Sequence, residues 1–193
     1  MGGITVINHV TLDGVMQAPA RPDEDRSGGF EHGGWAVPYG DAVMAEFMGK
    51  GMAGGGALLF GRRTYEDFAA VWPQREGDPI SALLNERQKY VVSTTLHEPL
   101  PWVNSTLLQG DVAAAVATLK EDPGDDLAVL GSGELVRSLM RHGLVDEYVL
   151  TIHPLILGTG RRLFAGDGPS VALRLVETKP TTTGVIIAVY RPA

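Results

Sequence analysis

Three short segments of the chain combine glycine or hydroxyl residues with groups that can bind phosphate. They read Gly61-Arg62-Arg63-Thr64, Ser93-Thr94 and Gly131-Ser132-Gly133-Glu134. Glycine lets the backbone approach a ligand closely, N–H groups at a helix start attract anions, and arginine binds phosphate through two parallel hydrogen bonds. Each segment alone is also typical of a tight turn, a helix cap or exposed arginines. The third segment lacks the last glycine of the dinucleotide fingerprint.

A carboxylate beside two aromatic rings is a second candidate for chemistry. Asp41 follows Trp35 and Tyr39 at the end of residues 17–40, a stretch without a hydrophobic period. A carboxyl group in an apolar pocket can have a raised pKa and donate a proton, or it can bind the edge of an amidine-like heterocycle. The alternative is that Asp41 caps a helix. The aromatic content of the stretch predicts a functional loop, with a loop packed over the core or at a subunit interface as the alternative.

Several other chemistries are excluded or lack support. The chain has no cysteine, which excludes disulfides, thiolate zinc sites and cysteine nucleophiles. Its five histidines lack metal-ligand spacing, so no metal site is predicted. The net charge of -7 argues against binding to a nucleic-acid backbone. No apolar run approaches the ~18 residues of a membrane span. We expect a soluble, cytoplasmic protein that acts on a small molecule.

Hydrophobic patterns predict the elements that must position these residues. Strands are predicted at 4–7, 57–60, 90–92, 127–130, 148–152, 171–176 and 185–189, with a weaker one at 103–108. Helices are predicted after Asp41, after Gly61, over 79–89, after Asp111 and around 135–140. This order predicts one α/β domain over residues 1–193, with a mostly parallel sheet that ends in an antiparallel hairpin. The three phosphate-binding candidates would then end neighbouring strands, at the edge where such sheets bind ligands.

The order and spacing of six short motifs resemble the dihydrofolate-reductase-like superfamily over about residues 4–190. The chain is most similar to stand-alone relatives of the reductase domain of the riboflavin-biosynthetic deaminase-reductase. The motifs are Thr11-Leu12-Asp13-Gly14, Gly61-Arg62-Arg63-Thr64-Tyr65-Glu66, Val92-Ser93-Thr94, Gly131-Ser132-Gly133-Glu134-Leu135, Gly143-Leu144-Val145-Asp146-Glu147 and Pro154-Leu155-Ile156-Leu157-Gly158-Thr159-Gly160.

The resemblance implies a three-layer fold, with about eight strands, helices on both faces and NADPH bound across the carboxyl edge. It implies that Arg62–Thr64 lie near the cofactor's phosphates and Ser93 and Thr94 near the adenosine 2′-phosphate. Gly131–Gly133 would pass beside the pyrophosphate and nicotinamide and lead into a helix begun by Glu134. Typical members have two glycines joined by a cis peptide here, which implies a cis bond before Ser132.

The chain also departs from its relatives at the implied substrate site. Typical dihydrofolate reductases place a Trp, a Pro three residues later and a substrate-binding Asp two further on. Here Trp35 and Pro38 keep the first spacing, but Asp41 comes three residues after Pro38, and Glu46 is an alternative carboxylate. The riboflavin branch usually has Asp-x-Pro-x-Leu after its Gly-x-x-Thr turn, whereas this chain has Tyr65-Glu66-Asp67-Phe68.

We therefore predict an NADPH-dependent reductase of a small heterocyclic, pteridine- or pyrimidine-like, or carbonyl substrate, related to riboflavin or folate metabolism. Trp35, Tyr39 and Asp41 would bind the substrate, and Asp41 or a water that it orients would supply the proton. The 17–40 loop would close over both ligands. The alternatives are a binding protein without turnover and an obligate homodimer with Trp35 at its interface. A homodimer is expected in any case, because the terminal strands offer an edge for pairing.

Overall fold

The computed structural model describes residues 2–121, 126–164, 166 and 168–193. One eight-stranded sheet runs through this part of the chain. The strands are β1 (Ile4–Thr11), β2 (Ala57–Gly61), β3 (Lys89–Val92), β4 (Ser105–Leu108), β5 (Leu127–Leu130), β6 (Glu147–His153), β7 (Leu173–Pro180) and β8 (Ile186–Pro192). The α-helices are α1 (Ala42–Ala53), α2 (Arg62–Val71), α3 (Pro79–Glu86), α4 (Val112–Glu121) and α5 (Gly133–Arg141).

The order of the strands across the sheet is β4-β3-β2-β5-β1-β6-β8-β7. Every neighbouring pair from β4 to β6 is parallel, whereas β8 runs antiparallel to β6, and β7 antiparallel to β8. Each predicted strand is present, with small shifts of its ends. The prediction of a mostly parallel sheet with a terminal antiparallel hairpin is therefore confirmed.

Helices cover both faces of the sheet, which confirms the three-layer arrangement. On one face, α4 and α5 pack through Val116 and Leu139 onto the main hydrophobic core. On the other face, α2 and α3 contribute Tyr65 and Leu84 to a second core, and α1 packs Phe47 against the sheet nearby. Strand β1 alternates buried and partly exposed side chains along most of its length, so each face receives every second residue.

Helix α3 is shorter than its sequence pattern predicted. It ends at Glu86 rather than at residue 89, because Lys89 begins β3 with a fully buried side chain. The Lys89 Nζ donates hydrogen bonds to the backbone oxygens of Leu84 at 2.7 Å and Arg87 at 2.6 Å. Burial lowers the pKa of Lys89 to about 8. A cation that binds the last carbonyls of a helix stabilises its end, so Lys89 fixes the junction between α3 and β3.

The edge strand β7 exposes apolar side chains. Leu173, Leu175 and Val176 are 36%, 53% and 43% exposed, and Phe164 and Val171 beside them are 44% and 37% exposed. Between this strand and α5 lies a shallow cavity of about 200 Å³. Among the described residues, no helix has the length and apolar character needed to cross a bilayer.

Candidate functional site

The three phosphate-binding candidates end three neighbouring parallel strands. Strands β3, β2 and β5 lie side by side, and Ser93, Gly61 and Gly131 stand at their carboxyl ends. Ligands of open α/β sheets bind at this edge because loops and helix starts converge there. The structure therefore places the three segments at one edge of the sheet, as the sequence predicted.

Ser132 joins the turn after β5 to the turn after β2. Its Oγ accepts a hydrogen bond from the Gly61 backbone N–H at 2.9 Å, and its own N–H donates to the Thr64 Oγ1 at 3.1 Å. Gly131 and Ser132 both adopt left-handed backbone conformations, with φ of 59° and 55°. The peptide bond between them is trans, since among the described residues only the bond before Pro99 is cis. The implied cis bond before Ser132 is thus wrong, and successive left-handed residues turn the chain instead.

Gly133 packs closely against Met16. A Cβ atom at this position would lie 2.7 Å from the Met16 Sδ, closer than van der Waals contact allows. Nearby, the Asn8 Nδ2 donates a hydrogen bond to the Gly131 oxygen at 3.2 Å. The carboxyl end of β1 and its following loop therefore pack directly against the turn that begins α5.

Two helix starts lie side by side at this edge without side-chain caps. Helix α2 begins after Gly61 and α5 after Ser132, and neither residue caps its helix with a side-chain hydrogen bond. Uncapped N–H groups and the helix dipole together favour an anion. Arg62 is partly exposed and pairs with Glu66 at 3.0 Å, while Arg63 is exposed. Because strands β2 and β5 are neighbours, one pyrophosphate can reach both helix starts.

The hydroxyls after β3 have different surroundings. Ser93 is 6% exposed, and its Oγ accepts hydrogen bonds from the N–H groups of Thr95 at 3.1 Å and Leu96 at 3.0 Å. This is the turn-forming use of serine that the sequence left open as an alternative. Thr94 is exposed at the same edge. The structure therefore leaves Thr94 more accessible to a ligand than Ser93.

Asp41 caps α1 and ties it to the β7–β8 turn. Its Oδ1 accepts a hydrogen bond from the Met44 N–H at 2.8 Å, and its Oδ2 accepts from the Thr182 N–H at 2.7 Å and Oγ1 at 2.6 Å. These hydrogen bonds, that from the Thr182 hydroxyl first, lower the pKa of Asp41. Direct proton donation would require a raised pKa, so the geometry favours the capping role that the sequence left as the alternative.

The 17–40 loop has a small core of its own. Trp35 and Phe30 are 6% and 5% exposed and cluster with Val15. The Trp35 Nε1 donates to the Gln17 oxygen at 2.7 Å, and the Gln17 Oε1 accepts from the Arg161 N–H at 2.9 Å. The loop is therefore packed against the segment after β6, as in the packed-loop alternative, and its aromatic residues cover the carboxyl ends of β1 and β6.

Two histidines that the sequence analysis considered only as metal ligands form a pair beneath this loop. The His9 Nδ1 and the His153 Nε2 are 2.9 Å apart, and the edges of Trp35 and Tyr39 contact the His153 ring, with centroids at 5.1 Å and 5.5 Å. Burial lowers the pKa of His9 to about 4, and burial with the neighbouring His9 lowers that of His153 to about 4. Both rings are neutral at pH 7. No spacing in the sequence signals this pair, because strand register creates it.

The arrangement can therefore hold an anionic nucleotide and an apolar or neutral ring side by side. The uncapped helix starts lie at the ends of β2 and β5, and the histidine pair lies at the ends of β1 and β6, next to β5. Within the described part of the chain, no group of three or more histidine, aspartate or glutamate side chains could hold a metal ion.

Fold and edge together define a dihydrofolate-reductase-like α/β protein. The chain superimposes on dihydrofolate reductase from Enterococcus faecalis in complex with NADP(H), with 15% identity, a TM-score of 0.61 and coverage of 99% of this chain and 96% of that one. The chain belongs to the RibD C-terminal domain family, whose match spans residues 3–187.

The chain is also similar to two further proteins. The uncharacterized protein YyaP of Bacillus subtilis is 29% identical over 189 residues, which is 94% of this chain and 90% of that protein. A putative riboflavin biosynthesis protein from Shewanella sp. PV-4 is 19% identical, with a TM-score of 0.69 and coverage of 99% of both chains.

Proposed function

We propose that the protein is an NADPH-dependent reductase of a small heterocyclic or carbonyl substrate, in the area of riboflavin or folate metabolism. The observation that carries the proposal is the pair of uncapped helix starts on neighbouring strand ends, next to the end of β6, where Trp35 and Tyr39 pack on His153. The NADP(H) complex of the E. faecalis enzyme, which shares the fold, supports the choice of cofactor. NADPH when bound supplies a hydride.

Different residues at this edge of the sheet would bind different parts of the cofactor. The first N–H groups of α2 and α5 would hold the pyrophosphate, and Arg63 would neutralise phosphate charge. Thr94 would face the adenosine end, because β3 lies on the far side of β2 from β5. Ser132 holds the two turns in register through its bonds to Gly61 and Thr64.

The substrate would lie between α1 and the sheet, under Trp35 and Tyr39. Asp41 is ionised at neutral pH because its hydrogen bonds favour the carboxylate. We assign Asp41 to holding α1 against the β7–β8 turn beside this substrate position, and we assign proton delivery to water. The packed 17–40 loop would shield a substrate bound there from bulk water, which would strengthen electrostatic interactions with it.

We also propose that two copies of the chain associate through β7 in the cytoplasm, where reduced nicotinamide cofactors are available. Strand β7 is one of the two edge strands of the sheet, and its exposed leucine and valine side chains offer an apolar surface. Arg174, Glu177 and Lys179 alternate in sign along it, so an antiparallel copy can set opposite charges side by side.

NADPH titration of the purified protein tests the reductase proposal. Arg63→Ala should weaken NADPH binding by about 10- to 150-fold, since a charge-assisted hydrogen bond contributes ~1.5–3 kcal/mol. Arg141→Ala removes the same charge at the far end of α5 and should leave binding unchanged. No saturable binding at millimolar NADPH, or equal weakening in both variants, would contradict the proposed site.

Turnover separates a reductase from a protein that only binds nucleotide. The hydrogen bonds that lower the pKa of Asp41 make it a poor proton donor, and this observation keeps the binding protein as a second candidate. We expect loss of reduced-nicotinamide absorbance with at least one compound in a panel of pterins, pyrimidines and quinones. Saturable NADPH binding without oxidation across the panel would favour the binding protein.

A further inference from the structure

Three polar side chains lie together where β1 and β6 run side by side. In the strand register His9 pairs with Thr151, and His153 follows two residues later on the same face of β6. Thr151 and His153 are fully buried, and His9 is partly exposed. Within the described part of the chain, the Thr151 Oγ1 and the His153 Nδ1 have no hydrogen-bond partner.

Such unsatisfied groups are rare in folded proteins, because a buried donor or acceptor without a partner costs free energy. Two of them at successive positions on one strand face, next to a histidine pair, mark a place where a ligand can supply hydrogen bonds. The same place adjoins the nucleotide edge, because Asn8, which precedes His9, donates to the Gly131 oxygen at 3.2 Å.

The hydrogen bond between the two rings determines whether the His9 Nε2 donates or accepts a hydrogen bond. One proton lies between the His9 Nδ1 and the His153 Nε2. If His9 donates it, the His9 Nε2 is an acceptor; if His153 donates it, the His9 Nε2 carries a proton and is a donor. Among the described residues, no hydrogen bond engages the His153 Nδ1, so no protein group fixes the tautomer. The pair can therefore present either a donor or an acceptor while remaining neutral.

The surroundings select against a cation. The rings of Trp35 and Tyr39 contact His153, and the carboxylate oxygens of Asp41 accept hydrogen bonds from Met44 and Thr182. A cationic group placed against the two neutral histidines would lose hydration, and no hydrogen bond among the described residues holds a carboxylate on either ring to compensate it. An uncharged group would lose much less.

We propose that His9 binds an uncharged hydrogen-bonding group of the substrate, such as a cyclic amide, and that His153 is a positioning residue that shares one proton with His9 and so lets the His9 Nε2 donate or accept. Thr151 supplies a further hydrogen bond beside them. This role of His9 depends on the proposed reductase function only in one respect, namely that the bound molecule is the one that is reduced. It gives the site a preference for neutral cyclic amides over cationic amidines.

Calorimetric titration of the NADPH-loaded protein at pH 7 with pterin, a neutral cyclic amide, and with a cationic 2,4-diaminopyrimidine tests the assignment. Pterin should bind saturably and at least tenfold more tightly than the diaminopyrimidine. His9→Gln should weaken pterin binding at least tenfold and leave the NADPH dissociation constant within twofold. The exposed His142→Gln is the matched control and should change neither value.

A nitrogen-15 NMR spectrum of the histidine rings gives a readout that a purely structural role would not change. Pterin should shift the His9 Nε2 signal and move the tautomer balance of His153 in the same titration. No pterin binding, equal binding of the two compounds, or unchanged affinity in His9→Gln would overturn the inference. Pterin binding that depends on His9 in a protein that fails to bind NADPH would keep the inference and overturn the reductase.

Discussion

Hydrogen bonding and burial shift the pKa values of the ionisable residues of the site. The carboxylate of Asp41 accepts hydrogen bonds from Met44 and Thr182, and its pKa is lowered. His153 is fully buried and His9 largely shielded, and the pKa of each falls to about 4. Asp41 is therefore anionic and the histidine pair neutral over a wide pH range around neutrality.

The histidine pair makes stability depend on pH in a defined window. Between about pH 6.5 and pH 4 the unfolded chain binds protons on His9 and His153 that the folded chain does not, so the free energy of unfolding should fall as the pH drops through this window. The Tyr39 ring also contacts His153. Urea unfolding followed by tryptophan fluorescence at several pH values measures the slope.

Matched variants identify the source of this slope. The double variant His9→Gln/His153→Gln should flatten the slope between pH 6.5 and 4, and His142→Gln should retain it. Asp13 has a pKa lowered to about 2, mainly by the hydroxyl of Thr11, so its stabilising contribution is lost only below about pH 3.8. An equally steep slope in the double variant would contradict the assignment.

At the scale of elements, the 17–40 loop and the turn after β6 form one packed unit. Gly160 lies where they meet, with φ of 105°, and a Cβ there would be 2.7 Å from the Phe30 ring and 2.8 Å from a Val15 methyl group. Gly158, two residues earlier, has φ of 74°, but a Cβ atom there would have no heavy atom within 4 Å. A side chain at either position would strain the backbone, whereas only a side chain at Gly160 would also overlap with its neighbours.

Alanine substitutions at these glycines measure how firmly the loop is held. Gly160→Ala should lower the free energy of unfolding by about 2–4 kcal/mol, through strain and overpacking together. Gly158→Ala should lower it by only about 1–2 kcal/mol, through backbone conformation alone. Chemical denaturation of both variants gives the comparison. Equal losses would show that the loop does not pack against Gly160 in solution.

At the scale of the whole molecule, β7 leaves the sheet open on one side. The opposite edge strand, β4, has one of its four side chains, Thr106, fully exposed, whereas nearly every side chain of β7 is exposed. Native sheets seldom leave a long apolar edge uncovered, because it pairs with other chains. Covering this edge with a second copy would bury the apolar cluster at Leu173, Leu175 and Val176.

Introducing a charge into the β7 surface tests the proposed association. Light scattering coupled to size exclusion should give twice the chain mass of 20.6 kDa for the unaltered protein and the monomer mass for Leu175→Asp. Leu12→Asp, at a residue that is 63% exposed outside this strand, is the control and should stay dimeric. A monomeric unaltered protein would contradict the proposal.

The sequence by itself determined the strands, the helices and the edge at which the site lies. Short β-branched runs and capping residues such as Asp41 and Asp111 are local signals, and local hydrogen bonds fulfil them. Glycine at residues 61, 131 and 133 follows strands whose parallel order brings their ends together. The order of motifs along the chain was sufficient for this, because right-handed strand–helix–strand units leave few alternatives.

Only the tertiary structure decided what the polar side chains do. Pairing of β1 with β6 brings His9 to His153 across more than a hundred residues, and the β7–β8 turn reaches Asp41 over a similar distance. Such contacts depend on strand register and on the packing of the 17–40 loop, which no local pattern encodes. Burial and hydrogen bonding then lower the pKa of each group, so the histidine pair stays neutral and Asp41 ionised over a wider pH range than in the unfolded chain.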